Sequence, residues 1–255
     1  MSEYLFFLKS HEGHYFKILS DMLQNNMKNV CLNLTEDGIT MQNMDTHKTI
    51  LFDMIINSDK FQSYKYTLDT PSRQIGLTLR YLYSMLKNMK KKDVIEIYIL
   101  KSKPDCLGVR VIPNNSNKIT NSFIQIHLIQ NILIDKPDEY KHSVLIETND
   151  FQKVCKDMSI INNDIEIISG KDFIKFECKM DNVYSKDVIF GDFDEIKIIH
   201  RDVFDLDNLI KIIKMSGLSK HCQVYLSPNV PLRFHVAIGC MGTLNIYVKS
   251  KQQME

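Results

Sequence analysis

The residues able to do covalent or metal chemistry are few and badly spaced for it. His11-Glu12-Gly13-His14 holds two histidines three apart, not the four-residue separation that puts two zinc ligands on one helix face. Ser169-Gly170-Lys171 lacks the upstream glycine of a phosphate-cradling loop and falls between two strand-like runs, so it reads as a turn. The other histidines (His47, His127, His142, His200, His221, His235) are scattered, and none pairs with a cysteine at metal spacing. Cys31, Cys106, Cys155, Cys178, Cys222 and Cys240 contain no Cys-x-x-Cys pair and mostly sit in apolar runs, which predicts buried free thiols. Catalysis, a metal and a cofactor are therefore not expected.

The chemistry that recurs is positive charge at helical spacing. Arg80, Ser84, Lys87 and Lys91 lie at i, i+4, i+7 and i+11, with Lys90 and Lys92 beside them. Lys153 and Lys156 are i, i+3 neighbours, as are Lys211 and Lys214, with Lys220 in the loop that follows. Such pairs repel by a few tenths of a kcal/mol each. A single lysine face is ordinarily a solvated surface. Three such faces in a protein of net charge +1 point to a polyanion met through its phosphates rather than its bases. Lys17, accompanied by Asp21, is the weakest member of the set.

Four short amphipathic helices must carry these charges. Their apolar stripes are Tyr15, Ile18, Leu19, Met22; Leu79, Leu82, Leu86, Met89; Phe151, Val154, Met158; and Leu206, Leu209, Ile210, Ile213. Each spans about ten residues, too few to persist alone in water, so each needs a sheet beneath it. Alternating apolar residues predict strands at the N-terminus and near 30–34, 94–100, 106–112, 123–129, 143–148, 165–169, 172–178, 183–190, 222–226, 232–238 and 244–248. The fold class is α+β and mainly antiparallel. The run Leu79-x-x-Leu82-x-x-Met85-Leu86-Lys87 reappears as Leu206-x-x-Leu209-x-x-Ile212-Ile213-Lys214, and Phe16 and Met22 find counterparts in Phe151 and Met158. The chain is thus a tandem repeat of one unit: strand, helix, strands, helix, strands. The expected division is a first lobe over 1–117, an edge strand and connector over 118–136, and a second lobe over 137–255. A composition of 44% hydrophobic and 25% charged residues is that of a soluble globular chain, and the N-terminus reads as a strand rather than a signal peptide. An intracellular location is expected.

Between two apolar runs, GITMQNMDTHKTILFDMII places the polar patch QNMDTHK, which contains Met44. A plain hairpin uses a two-residue turn. Seven residues with a methionine among them predict a loop that does more than reverse the chain, and a surface that later covers Met44.

These residues resemble the eukaryotic, archaeal and viral DNA sliding clamps of the proliferating cell nuclear antigen family. The most specific stretches are DGITMQNMDTHKTILFDMII followed by YKY, IGLTLRYLYSMLKNMKKKDVIEI, FQKVCKDMS and NVPLRFHVAIGCMGTLNIYV, in family order and spacing over nearly the whole chain. The resemblance implies a homotrimeric, six-lobed closed ring that encircles double-stranded DNA without reading its sequence and tethers a DNA polymerase, a clamp loader and other replication or repair proteins. Lys17, Arg80, Lys87, Lys91, Lys153, Lys156, Lys211, Lys214 and Lys220 would face the DNA. Edge strands near 119–126 and 182–189, with Ile119, Phe123, Ile126, Val183 and Val188, would join the subunits. Partner peptides would plug a pocket formed by Met44, Lys48, Thr49, Leu51, Leu133, Ile134, Val230, Pro231, Tyr247, Val248 and Lys249.

Three features depart from the family: Lys249-Ser250 stands where it has Ala-Pro, the connector IQIHLIQNILID is apolar rather than acidic, and the chain is not acidic overall. They fit a divergent viral or protist member, acting in a nucleus or at a cytoplasmic viral replication site. The alternative is a clamp-like chain acting in a heterotrimer or without a ring, in checkpoint control or viral transcription.

Overall fold

A computed structural model describes residues 3–115, 118–129, 133–137, 140–180, 183–192 and 197–254. The chain divides into two compact units that are discontinuous in sequence. The first comprises Met1–Asn43, Asp53–Leu133 and Ala237–Leu244, the second Met44–Phe52, Ile134–Val236 and Asn245–Glu255.

The elements of the first half are β1 (Tyr4–Ser10), α1 (His14–Gln24), β2 (Asn29–Thr35), β3 (Gly38–Met44), β4 (Ile50–Asn57), β5 (Ser63–Tyr66), β6 (Ser72–Thr78), α2 (Leu79–Leu86), β7 (Val94–Leu100), β8 (Lys103–Ile112) and β9 (Thr120–Gln125). Within the first unit β5-β1-β7-β8-β9 form one antiparallel sheet, and β2 pairs with both β6 and β3. The alternation that marks these strands is the alternation that fills the core: Phe6, Leu8, Ile95, Ile97, Leu107 and Val109 are buried. Leu19, Met22 and Leu23 of α1 and Leu79 and Leu86 of α2 are buried with them.

The second half runs β10 (Val144–Glu147), α3 (Thr148–Met158), β11 (Asp164–Ser169), β12 (Phe173–Met180), β13 (Tyr184–Gly191), β14 (His200–Asp205), α4 (Leu206–Ile210), β15 (His221–Tyr225), β16 (Leu232–Ile238) and β17 (Gly242–Val248). In the second unit β13-β12-β11-β14 form one antiparallel sheet and β10-β15-β16 another run. Phe151 of α3 lies against Phe234 and Phe176, with ring centroids 4.9 and 5.9 Å away. Stripping one large ring from this cluster removes far more burial than any surface change.

The repeat is visible in the order of elements, and α2 and α4 begin on the matched leucines, Leu79 and Leu206. They end differently from expectation. α2 stops at Leu86, because the next turn is held by Asp93, whose carboxylate accepts from the Lys90 and Asn114 amides at 2.8 and 3.3 Å. Lys91 is therefore in a turn, not on the helix stripe. α4 stops at Ile210 and gives way to a 3₁₀ segment, Ile213–Gly217. Leu209, Ile212, Met215 and Leu218 are all buried and three apart. A three-residue period is that of a 3₁₀ helix, so the core selects it over the 3.6-residue stripe that would have buried Ile213. Strands β5, β6 and β14 escape the sequence pattern because their alternation is short or interrupted.

The polar patch is also a shorter loop than its composition suggests. Gln42, Asn43 and Met44 remain in β3, and the connection is Asp45–Thr49. One carboxylate organises it. Asp45 Oδ1 accepts from the Thr49 and Ile50 amides at 2.7 and 2.8 Å, and Oδ2 from Thr49 Oγ1 at 3.1 Å. Lys48 takes the left-handed conformation (φ 59°) that tightens the loop. Because Asp45 is buried, Asp45→Ala leaves interior amides without an acceptor. It is expected to lower unfolding free energy by roughly 1–3 kcal/mol in urea denaturation, with Asp45→Asn losing less.

Candidate functional site

On α2, Arg80 and Ser84 are exposed on the face opposite the buried leucines, with Lys87 exposed at the helix end; Lys90, Lys91 and Lys92 extend the basic surface through the following turn. On α3, Lys153 and Lys156 are exposed while Phe151, Val154, Cys155 and Met158 are buried. Lys153 donates to Asp150 at 2.8 Å, which pushes its pKa up and cancels much of its charge for any outside anion. Three predicted cations are more constrained. Lys17 donates to the Met89 carbonyl at 3.1 Å, Lys211 to Asn208 at 2.9 Å, and Lys220 pairs with Glu147 at 3.3 Å. Lys214 sits half-buried on the 3₁₀ segment. The most available cations of the set are thus Arg80, Lys87, Lys90, Lys91 and Lys92 in the first unit and Lys156 in the second.

β9 and β13 are the outer strands of their sheets. Phe123 lies on β9 opposite Gly108 of β8. A Cβ at Gly108 would come within 2.4 Å of the Tyr98 ring, so glycine lets that ring lie across the strand. Phe123 stands edge-on to it at 6.0 Å, 44% exposed, with Lys103 above at 5.0 Å. Ile119 is exposed and Ile126 half-buried at the two ends of this strand. In the second unit Val183 is 82% exposed and Val188 half-buried, with Tyr184 and Met180 also exposed. Asn182, which opens the expected edge, lies outside the described residues.

Of the pocket residues, Met44, Thr49, Leu51, Val230, Pro231, Tyr247, Val248 and Lys249 all fall in the second unit, as do Lys48 and Ile134. Leu51, Val230, Tyr247 and Val248 are buried; Met44, Ile134, Pro231 and Lys249 are half-buried; Lys48 is exposed. The Lys249 amide donates to the Thr49 carbonyl at 2.9 Å, joining the loop after β3 to the end of β17. Leu133 is 80% exposed. Gln130, Asn131 and Ile132 of the connector lie outside the described residues. Its beginning is placed: His127 and Gly76 exchange backbone hydrogen bonds at 2.8 and 2.9 Å, and a Cβ at Gly76 would strike the His127 carbonyl and the Ile129 side chain.

Two residues beside this group escape sequence reasoning. Tyr140 donates to the Pro231 carbonyl at 2.6 Å and packs against Tyr225 and Tyr247 at 5.6 and 6.5 Å. Arg233 lies among the same three rings. Nothing local marks either one, since their partners are distant in sequence. The thiols are free; Cys31, Cys155, Cys178 and Cys222 are buried, and burial pushes Cys222 up to about 12.

Comparison with known proteins decides the family. Residues 5–135 match the model for the proliferating cell nuclear antigen N-terminal domain, and residues 135–251 that for its C-terminal domain. The chain belongs to the proliferating cell nuclear antigen family. It is a divergent member with the α+β clamp fold. It is 26% identical over 255 residues to a protein named probable DNA polymerase sliding clamp 1 of Paramecium bursaria Chlorella virus 1, covering 96% of each chain. Against the proliferating cell nuclear antigen of Chaetomium thermophilum it is 21% identical over 252 residues, covering 94% of this chain and 95% of the other. Against proliferating cell nuclear antigen 2 of Plasmodium falciparum it is 24% identical over 231 residues, covering 87% and 86%.

Proposed function

We propose that this protein is a DNA sliding clamp: a homotrimeric ring that holds a DNA polymerase and other replication and repair proteins on duplex DNA. The observation that carries this reading is the basic surface of α2 and its following turn, where Arg80, Lys87, Lys90, Lys91 and Lys92 are exposed opposite a buried apolar face. Flexible lysines meet phosphates as point charges without fixing a register, which is what a sliding contact requires. Pairing of β9 on one subunit with β13 on the next would satisfy two open strand edges and cover their exposed apolar side chains. The protein would act by topology and tethering, at the replication site of its nucleus or virus, rather than by catalysis.

Tethering would use the second-unit surface around Met44, Pro231 and Lys249, and the exposed Leu133 of the connector would contribute to it. A half-buried methionine suits such a wall, because its unbranched chain repacks around different guests. Leu133→Ala is expected to weaken a synthetic peptide carrying an aliphatic residue and an adjacent aromatic pair by roughly 1–3 kcal/mol, read by fluorescence anisotropy. Its stability should stay unchanged, since Leu133 is exposed. Equal affinity of the variant would remove Leu133 from the pocket. The ring itself is tested by hydrodynamic mass at micromolar concentration. A strict monomer, or assembly only with a different clamp-like chain, would overturn the homotrimer.

A further inference from the structure

Arg233 is an unusual residue to find on the face of a sheet. β16 buries Leu232, Phe234 and Val236 and turns Arg233 and His235 to the opposite side. There the guanidinium lies 4.8 Å from the Tyr225 ring centroid, 5.6 Å from that of Tyr140 and 5.9 Å from that of Tyr247. Its Nε and one terminal nitrogen both donate to Asn245 Oδ1, at 3.1 and 2.9 Å. His235 Nδ1 is 2.9 Å from the same oxygen. Among the described residues no carboxylate pairs with Arg233, and its other terminal nitrogen makes no protein hydrogen bond.

The side chain is therefore half-removed from water, fixed in orientation and, among the described residues, left without a counter-charge. Three π faces and one amide oxygen hold the cation in place, yet they leave one edge of its donor fork unused. A planar guanidinium held this way is pre-organised for a carboxylate, since the rotamer entropy has already been lost on folding.

Its described surroundings favour an acid. Tyr140 continues into a depression of about 560 Å³ lined by Lys141, His142, Ser227 and Asn229 among others, with no carboxylate among the described residues that line it. Tyr140 is anchored to the Pro231 carbonyl, and Tyr247 belongs to the same strand end as Lys249. The cation thus adjoins the proposed peptide groove rather than lying apart from it.

We infer that Arg233 is a specificity residue of that groove, pairing with an aspartate or glutamate of the bound partner peptide next to its apolar plug. This rests on the groove being the peptide site. Partners of this protein would then carry an acidic residue where a purely apolar groove would be indifferent to charge. The tyrosines do not read the acid; they position the arginine that does.

A two-by-two binding cycle tests it. The probe is a fluorescent peptide with an aliphatic residue and an adjacent aromatic pair, synthesised with Glu, and then with Gln, at each position flanking the plug. It is titrated against the whole wild-type protein and against Arg233→Gln. At one flanking position the Glu peptide is expected to bind wild type about tenfold tighter than the Gln peptide, and that preference should vanish in Arg233→Gln. Salt should erode the Glu preference and leave Gln-peptide affinity nearly unchanged. Arg233→Lys, which keeps the charge but not the fork, should restore only part of it. Circular dichroism and the thermal midpoint confirm that each variant is folded. Equal affinity of Glu and Gln peptides at every position, with Leu133→Ala still weakening both, would overturn the acid subsite and leave the groove standing. No binding of any plug peptide to wild type would overturn both.

Discussion

Phe123→Asp is expected to reduce the assembled protein to single chains at micromolar concentration. Phe123 sits mid-way along β9, the outermost strand of its sheet, and 44% of it is open in the isolated chain. If β9 is a joining edge, this ring is the apolar centre of a contact repeated three times around a closed ring. Removing a buried aromatic anchor of that kind costs about 2 kcal/mol or more at each interface. A charge placed opposite another strand adds a desolvation penalty. Within the chain itself the ring interactions lost are an edge contact with Tyr98 and a cation–π contact with Lys103, worth about 1 kcal/mol each. The folded monomer should therefore survive. Sedimentation velocity would show one chain in place of three, with an unchanged circular dichroism spectrum. A variant that still sediments as a trimer would take β9 out of the interface.

The triple charge reversal Lys87→Glu, Lys91→Glu, Lys156→Glu should abolish most DNA association at moderate salt and shorten processive synthesis. These lysines are exposed and form no ion pair among the described residues, unlike Lys153 with Asp150 or Lys220 with Glu147. Each phosphate that is no longer neutralised should flatten the plot of log affinity against log salt by about 0.9. Stability should move by no more than about 0.5 kcal/mol, as surface changes do. Reversal that leaves both the salt slope and processivity intact would make these faces merely solvated.

The lysine faces are legible in the sequence because a helix converts spacing directly into a face, and the apolar stripe fixes which face is outward. Even so, chain spacing places Lys91 on a helix that Asp93 terminates, and it cannot show that Asp150 holds Lys153. The loop after β3 is legible as unusual, but its length is not. The acceptor that folds it, Asp45, makes its bonds through side-chain geometry that hydropathy does not encode.

Local periodicity and repetition are enough to specify an antiparallel α+β chain built twice from one unit, four short amphipathic helices and the basic faces, and they are right about the burial of four of the six thiols, Cys106 being half-buried and Cys240 exposed. Packing in three dimensions settles the remainder. It sets the 3₁₀ turn after α4, where the core overrides the helical stripe. It assigns residues 44–52 to the second unit although most of β3 belongs to the first. It also gathers Tyr140, Tyr225 and Tyr247 around Arg233. Each of these depends on contacts between residues far apart in the chain, whose energies arise from burial and charge in space and leave no period in the sequence.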